Sequence, residues 1–319
     1  MCGDDVNISN QKAQRLLHVA QMYYEQEMTQ NQIASVLKVS RPLVSRMLQE
    51  AKACGIVKIE IRSLLEGNNL LLNQLRNFFN IKGGMIINDS LSENATNENI
   101  AMHVVDYLCG ILPGMRAIGL GWGSIIGEMI HTLESGAVTQ PMPDLSVVPL
   151  IGNSSVSNRN YHSNENVRIF AEKTNSEPMY LYAPALAESE QELSIITALE
   201  SYKMIQEVWR KLDIAVVNIG NYPSSPDFGS AVRYGKLLNE KKAVGRLLSY
   251  YYNMDGEILR SDTDYAVQIP LEIVASSRSI LGVCASNISP KALLGALRTG
   301  IITHLIAPEG IVQRVLEIK

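Results

Sequence analysis

Arg41, Ser45, Arg46 and Gln49 in the stretch "SRPLVSRMLQE" fall on one side of any helix built from it. All four carry hydrogen-bond donors, and no carboxylate intrudes before Glu50. An arginine can address guanine O6 and N7 together, a glutamine can address adenine N6 and N7, and a serine or a helix N-terminus can hold a phosphate. The chemistry this spacing suits is the reading of base edges in a DNA groove. On the other side of the same stretch, Val44, Met47 and Leu48 form an apolar strip that must pack against something.

The residues upstream supply the partner. Thr29 and Gln32 make a T-x-x-Q capping box in front of "IASVL", which predicts a helix that starts there and ends near Lys38. Ile33, Ala34 and Leu37 face one way on it. Ala34 is small enough for a close crossing, and Val39 plugs the turn. Ser40 is placed to cap the next helix, with Arg41 and Pro42 in the first turn, where a missing N–H costs little. A further helix is expected over 14–24, and Gly55 ends the set before "IVKIEI", which alternates like a strand. Two short helices crossing steeply with one polar side exposed make a helix-turn-helix. Lys38 stands where a glycine often serves. A left-handed backbone there costs roughly 1 kcal/mol, but it sets a cation beside the DNA backbone, with Thr29, Gln30 and Ser40 also near phosphate. The competing reading is a three-helix interaction domain that never meets DNA.

A second constellation lies at "IGLGWGSIIGEMI", where a strand runs through a glycine turn into a helix. Gly121 and Gly123 permit backbone N–H groups to converge, Ser124 adds a hydroxyl, and the helix dipole favours an anion. A dinucleotide site is disfavoured because Glu134 lies too near to serve as the ribose acid. Lys291 follows Pro290 at an expected helix start, where the dipole repels a cation and an anionic partner would compensate.

Around these sites the grammar is regular. "GGMIIN", "RAIGLGW", "LSVVPL", "PMYLYA", "DIAVVNIG", "SILGVCA" and "ITHLIA" are short apolar runs. Helical patterns lie between them at about 96–110, 124–135, 163–174, 189–210, 289–299 and 309–317, after a connector helix over 67–79. This predicts an α/β chain: an N-terminal helix-turn-helix domain over 1–62, then a three-layer, mainly parallel α/β domain over 63–319. Residues 1–62 carry eight Lys and Arg against six Asp and Glu, within a chain of net charge −4. The basic excess therefore sits with the candidate DNA module. Cys2, Cys54, Cys109 and Cys284 fall at no metal-ligand or paired spacing, and the last three have apolar neighbours, as suits thiols in a reducing compartment. His103, His131, His162 and His304 form no ligand motif, and no metal or cofactor is expected. Neither a signal peptide nor an apolar run of membrane length is present, so the expected location is the cytoplasm.

With these motifs in register, the sequence resembles the SorC/DeoR-type family of bacterial sugar-responsive transcriptional regulators. The likeness rests on "YYEQEMTQNQIASVLKVSRPLVSRMLQEAKACGIVKIEI" and on stations across the rest of the chain. It implies a fold similar to phosphosugar isomerases, a homo-oligomer (dimer or tetramer) as the working form, double-stranded operator DNA as partner, and a phosphorylated sugar as effector. The family loop G-W-G-T maps onto Gly121, Trp122, Gly123 and Ser124, which would hold the effector's phosphate. "VVPLIGN" resembles the next ligand-side loop and brings in Gly152 and Asn153, while Lys291 would reach the phosphate. "NENVRIFAE" around Asn164, "LYAPA" around Tyr182 and "AVVNIGNYPSS" match further stations. Two departures stand out. Arg246 occupies a place where relatives carry Asp, and Ser286 with Asn287 replaces a common Gly-Gly pair. A guanidinium reverses both charge and hydrogen-bond direction, so Arg246 is either a second anion contact or half of a surface ion pair.

Catalysis is the rival from another class, since the implied fold also serves isomerases and fold alone does not decide chemistry. No base with suitable context emerges from the sequence, so a sensor is expected and an enzyme is not. The remaining alternative is an effector-independent DNA-binding protein with a degenerate pocket.

Overall fold

The computed structural model describes residues 10–26, 28–57, 69–136, 141–224 and 229–319. The chain divides into two compact units, Met1–Leu65 and Glu66–Lys319. The expected boundary after residue 62 and most of the "IVKIEI" strand lie outside the described residues.

The first unit holds α1 (Asn10–Tyr24), α2 (Gln30–Leu37) and α3 (Arg41–Ala53). The capping box forms in full: the Thr29 hydroxyl accepts from the Gln32 N–H at 3.3 Å, and Gln32 Oε1 accepts from the Thr29 N–H at 2.8 Å. Lys38 ends α2 in the left-handed region, φ 52° and ψ 46°, and the Val39 N–H then closes the turn on the Ala34 carbonyl at 3.0 Å. Ser40 occupies the N-cap position of α3, but its side chain makes no capping hydrogen bond; the expected Ser40 cap is positional only. Val19, Met22, Ile33, Ala34, Val44 and Leu48 make one small core, with Val39 packed against it as the plug. A second cluster of Leu16, Ala20 and Ala51 ties α1 to α3.

In the second unit, α4 (Asn69–Phe78) leads into β1 (Gly83–Ile87), α5 (Glu93–Ile111), β2 (Ala117–Leu120), α6 (Ser124–Ser135), β3 (Ser146–Pro149), α7 (Ser163–Thr174) and β4 (Glu177–Pro178). The chain continues through α8 (Glu190–Ala198), α9 (Glu200–Trp209), β5 (Ile214–Asn221), α10 (Ser230–Tyr234), α11 (Leu237–Glu240), β6 (Ala243–Leu247), β7 (Tyr250–Asn253) and β8 (Ile258–Leu259). It ends with α12 (Leu271–Ser276), β9 (Ser279–Cys284), α13 (Pro290–Arg298), β10 (His304–Pro308) and α14 (Glu309–Ile318).

Seven strands run parallel in the order β1-β10-β9-β5-β2-β3-β4. The near-complete burial of the inner strands β2, β5 and β9 explains why they read as unbroken apolar runs. Helices α5, α6 and α7 pack side by side, as do α13, α14 and α4. Connections from β2 run outward to β3 and β4, whereas those from β5 run the other way to β9 and β10. The chain therefore reverses between β2 and β5, and open α/β sheets bind ligands beyond the strand ends at such a reversal.

Three details depart from expectation. The single helix over 189–210 is two, broken at Leu199, whose ψ of 142° is extended. "PMYLYA" gives only a two-residue strand, because the chain soon leaves the sheet edge to bridge Asn153. Finally, "AVGRLLSYYYN" folds as an antiparallel hairpin, β6 and β7, laid against the end of β5.

Candidate nucleic-acid interface and effector site

On α3, Val44, Leu48 and Ala51 are buried, which turns Arg41, Arg46 and Gln49 out to solvent, with Ser45 partly covered beside them. Glu50, the first carboxylate on the helix, is ion-paired with Lys12 of α1. The outward side of α3 thus carries two guanidiniums, an amide and a hydroxyl. Thr29, Gln30 and Arg41 line one cleft, together with Asn31, Tyr23 and Met28, where the N-termini of α2 and α3 open. Lys38 is exposed at the turn.

The glycine turn sits at the chain reversal. Gly123 is the N-cap of α6 with φ 121° and ψ 169°, a backbone conformation that essentially only glycine adopts. Gly121 and Gly123 differ from the expected converging amides: the Gly121 N–H goes to the Val216 carbonyl at 2.8 Å and the Gly123 N–H to Asn160 at 3.1 Å. The donors without an intrahelical acceptor are instead the first-turn N–H groups of α6 at Ser124, Ile125 and Ile126, of which Ile125 and Ile126 are buried. Ser124 itself is exposed. Trp122 is 2 % exposed and meets Tyr161 edge to face at 5.8 Å, so it supports the turn from below and offers no open stacking surface.

Arg246 is neither a surface ion-pair partner nor an open anion contact, because it is 5 % exposed on β6. Its Nη1 donates to the Leu248 carbonyl at 3.0 Å, and it hydrogen-bonds Tyr161. Burial pulls the guanidinium below its ordinary pKa. It also raises the Tyr161 hydroxyl, an effect that Arg246 opposes. Leu248 stands at φ 53° with its side chain against Gly121, so Arg246 braces a strained hairpin tip that presses on the glycine turn.

Gly152 and Asn153 carry structural duties. Gly152 lies tight against the Pro184 backbone, and Asn153 Oδ1 accepts the Asn164 N–H at 3.1 Å, joining the exit of β3 to α7. Lys291 is exposed in the first turn of α13 and has no ion-pair partner among the described residues; Ser289 caps that helix by accepting from Ala292 at 3.1 Å. Ser286 donates its N–H to Asn97 Oδ1 at 2.8 Å, fastening the loop to α5. Cys284 is buried, whereas Cys54 and Cys109 are only partly so. No cluster of His, Cys, Asp or Glu among the described residues could hold a metal.

Sequence reading passed over Asn218 and Asn221. Asn221 clamps the loop before α13, donating to the Asn287 carbonyl at 3.0 Å and accepting from the Ser289 N–H at 2.8 Å. Asn218 lies beside Gly123: a Cβ on that glycine would stand 2.4 Å from its Nδ2. The visible signal was two asparagines interrupting "AVVNIGN" in an otherwise apolar strand.

A small helix-turn-helix followed by a parallel α/β body whose sheet reverses beside a glycine turn is the build of a ligand-responsive DNA-binding protein. Residues 64–317 match the Sugar-bind family, described as "Putative sugar-binding domain", and the chain belongs to that family. It is a SorC/DeoR-type transcriptional regulator by its relatives. It is 26 % identical over 298 residues to the sorbitol operon regulator of Klebsiella pneumoniae, covering 91 % of this chain and 94 % of that protein. It is 25 % identical over 299 residues to the deoxyribonucleoside regulator of Bacillus subtilis (strain 168), covering 91 % and 93 %. The crystal structure of the full-length sorbitol operon regulator SorC from Klebsiella pneumoniae superposes with a TM-score of 0.70 at 25 % identity, covering 96 % of this chain and all of that one. These relatives are named as regulators and not as enzymes. No helix among the described residues is long and apolar enough to cross a membrane.

Proposed function

We propose that the protein is a cytoplasmic transcriptional regulator whose grip on operator DNA is set by a phosphorylated sugar. The observation that carries the reading is the exposed Arg41, Arg46 and Gln49 side of α3, cleared of free carboxylate by the Lys12–Glu50 pair, in a chain whose larger part belongs to the Sugar-bind family. Arg41, Ser45, Arg46 and Gln49 read base edges, while Thr29, Gln30, Lys38 and Ser40 lie along phosphates. One such module makes few contacts, so a homodimer reads an inverted repeat, and a tetramer holds two.

The effector's phosphate rests on the first turn of α6 at Ser124, shaped by Gly121, Trp122 and Gly123, with Lys291 as its cation. Gly152, Asn153 and Arg246 act beneath this contact by holding the surrounding loops. The ligand shifts DNA affinity through its different affinity for two arrangements of the subunits. The domain works as a sensor and not as a catalyst. Duplex fragments of the source genome enriched on the purified chain, with and without sugar phosphates, test both halves. Enrichment of discrete sequences that a sugar phosphate alters is the expected result. Enrichment of none, or a melting temperature raised equally by a sugar phosphate and its dephosphorylated form, refutes it.

A further inference from the structure

Asn218 is only partly buried in an otherwise buried run of β5 over 214–220. Its side chain makes no hydrogen bond among the described residues, and Oδ1 is fully buried. A buried amide oxygen left unpaired costs about 1–3 kcal/mol, so its presence needs a cause. The surroundings suggest one. Val216, Asn218 and Gly220 share a face of the strand. On that face Gly123 approaches Asn218 closely, and Gly220 is covered by the stem of Arg246, whose Cγ would lie 3.1 Å from an added Cβ. Asn218 is therefore a polar group set between the turn that opens α6 and the buried guanidinium, at the point where the sheet reverses.

We infer that Asn218 reads the carbon skeleton of the effector: its amide hydrogen-bonds a hydroxyl of the sugar whose phosphate rests on the first turn of α6. The inference rests on the phosphosugar reading above and adds the contact that selects among phosphates. A hydroxyl both donates and accepts, so it matches whichever amide atom faces it. An inorganic phosphate offers the anion but no skeleton. A purely structural asparagine would hold the Gly123 turn by a hydrogen bond, and among the described residues the Asn218 side chain makes none.

The full-length chain and its Asn218→Ala variant are titrated with glucose 6-phosphate, fructose 6-phosphate, ribose 5-phosphate and inorganic phosphate, by calorimetry and thermal shift. The expected result is that at least one sugar phosphate binds the unmutated chain more tightly than inorganic phosphate. The variant should then lose tenfold or more for that sugar phosphate, stay within twofold for inorganic phosphate, and melt no lower when ligand-free. A variant that keeps the sugar phosphate within twofold overturns the inference and leaves the phosphosugar reading standing. A fall in ligand-free melting temperature with parallel losses for both ligands also overturns it, by assigning Asn218 to the fold. An unmutated chain indifferent to every sugar phosphate removes the phosphosugar reading first, and the role of Asn218 with it.

Discussion

Gly123→Ala puts the glycine turn to a direct test. At φ 121° and ψ 169° an L-residue is strained by about 1–3 kcal/mol. The new Cβ would also stand 2.4 Å from Asn218 Nδ2, which must rotate away at a cost of roughly 0.5–1.5 kcal/mol for an off-rotamer side chain. Together these give about 2–4 kcal/mol. For a body of this size that lowers the melting temperature by on the order of 5–10 °C. Calorimetry on the variant measures it, and the double variant Gly123→Ala with Asn218→Ala separates the two parts. Removing the amide relieves the collision but not the backbone strain, so the pair should recover about 1 kcal/mol relative to additivity. A single variant that melts within 1 °C of the unmutated chain, or a double variant that is strictly additive, shows that the turn is not held as described.

Arg46→Ala should weaken specific DNA binding by about 1–3 kcal/mol and relax base preference, whereas Lys38→Ala should mainly reduce the salt slope by about one; footprinting of selected duplexes across a salt series distinguishes them. Asp264→Asn should cost about 3–5 kcal/mol in urea unfolding, because Asp264 meets the buried Arg233 at 2.8 Å through Nε and accepts from the Tyr234 hydroxyl at 2.6 Å. His304 has its pKa lowered by burial and then by Lys82 and Arg76. The unfolded chain therefore takes up this proton first, and the sign is a loss of stability as pH falls from about 6.5. His304→Gln should flatten that part of the profile in pH-dependent unfolding.

How much was legible follows from the range of the interactions involved. The capping box, the proline in the first turn of α3, the apolar strip of Val44 and Leu48 and the polar side opposite are local, since each depends on residues three or four apart. The parallel strands were also legible, because burial on both faces leaves an apolar run as its trace. Arg246 was misplaced for the opposite reason. Its burial depends on Tyr161 and Leu248 arriving from other segments, and a guanidinium looks the same in sequence whether it is exposed or enclosed.

The hairpin of β6 and β7 was missed because three consecutive tyrosines match no strand alternation, yet Tyr251 and Tyr252 are both buried, between the sheet and different neighbours. By itself the amino-acid order determined the helix-turn-helix, the α/β class and the glycine turn, all written in short-range spacing. Which amides of that turn remain open, where Arg246 points and what stands beneath Gly123 were decided only by tertiary structure. Strands distant in sequence must first align before Val216, Asn160 and Asn218 can reach the turn at all.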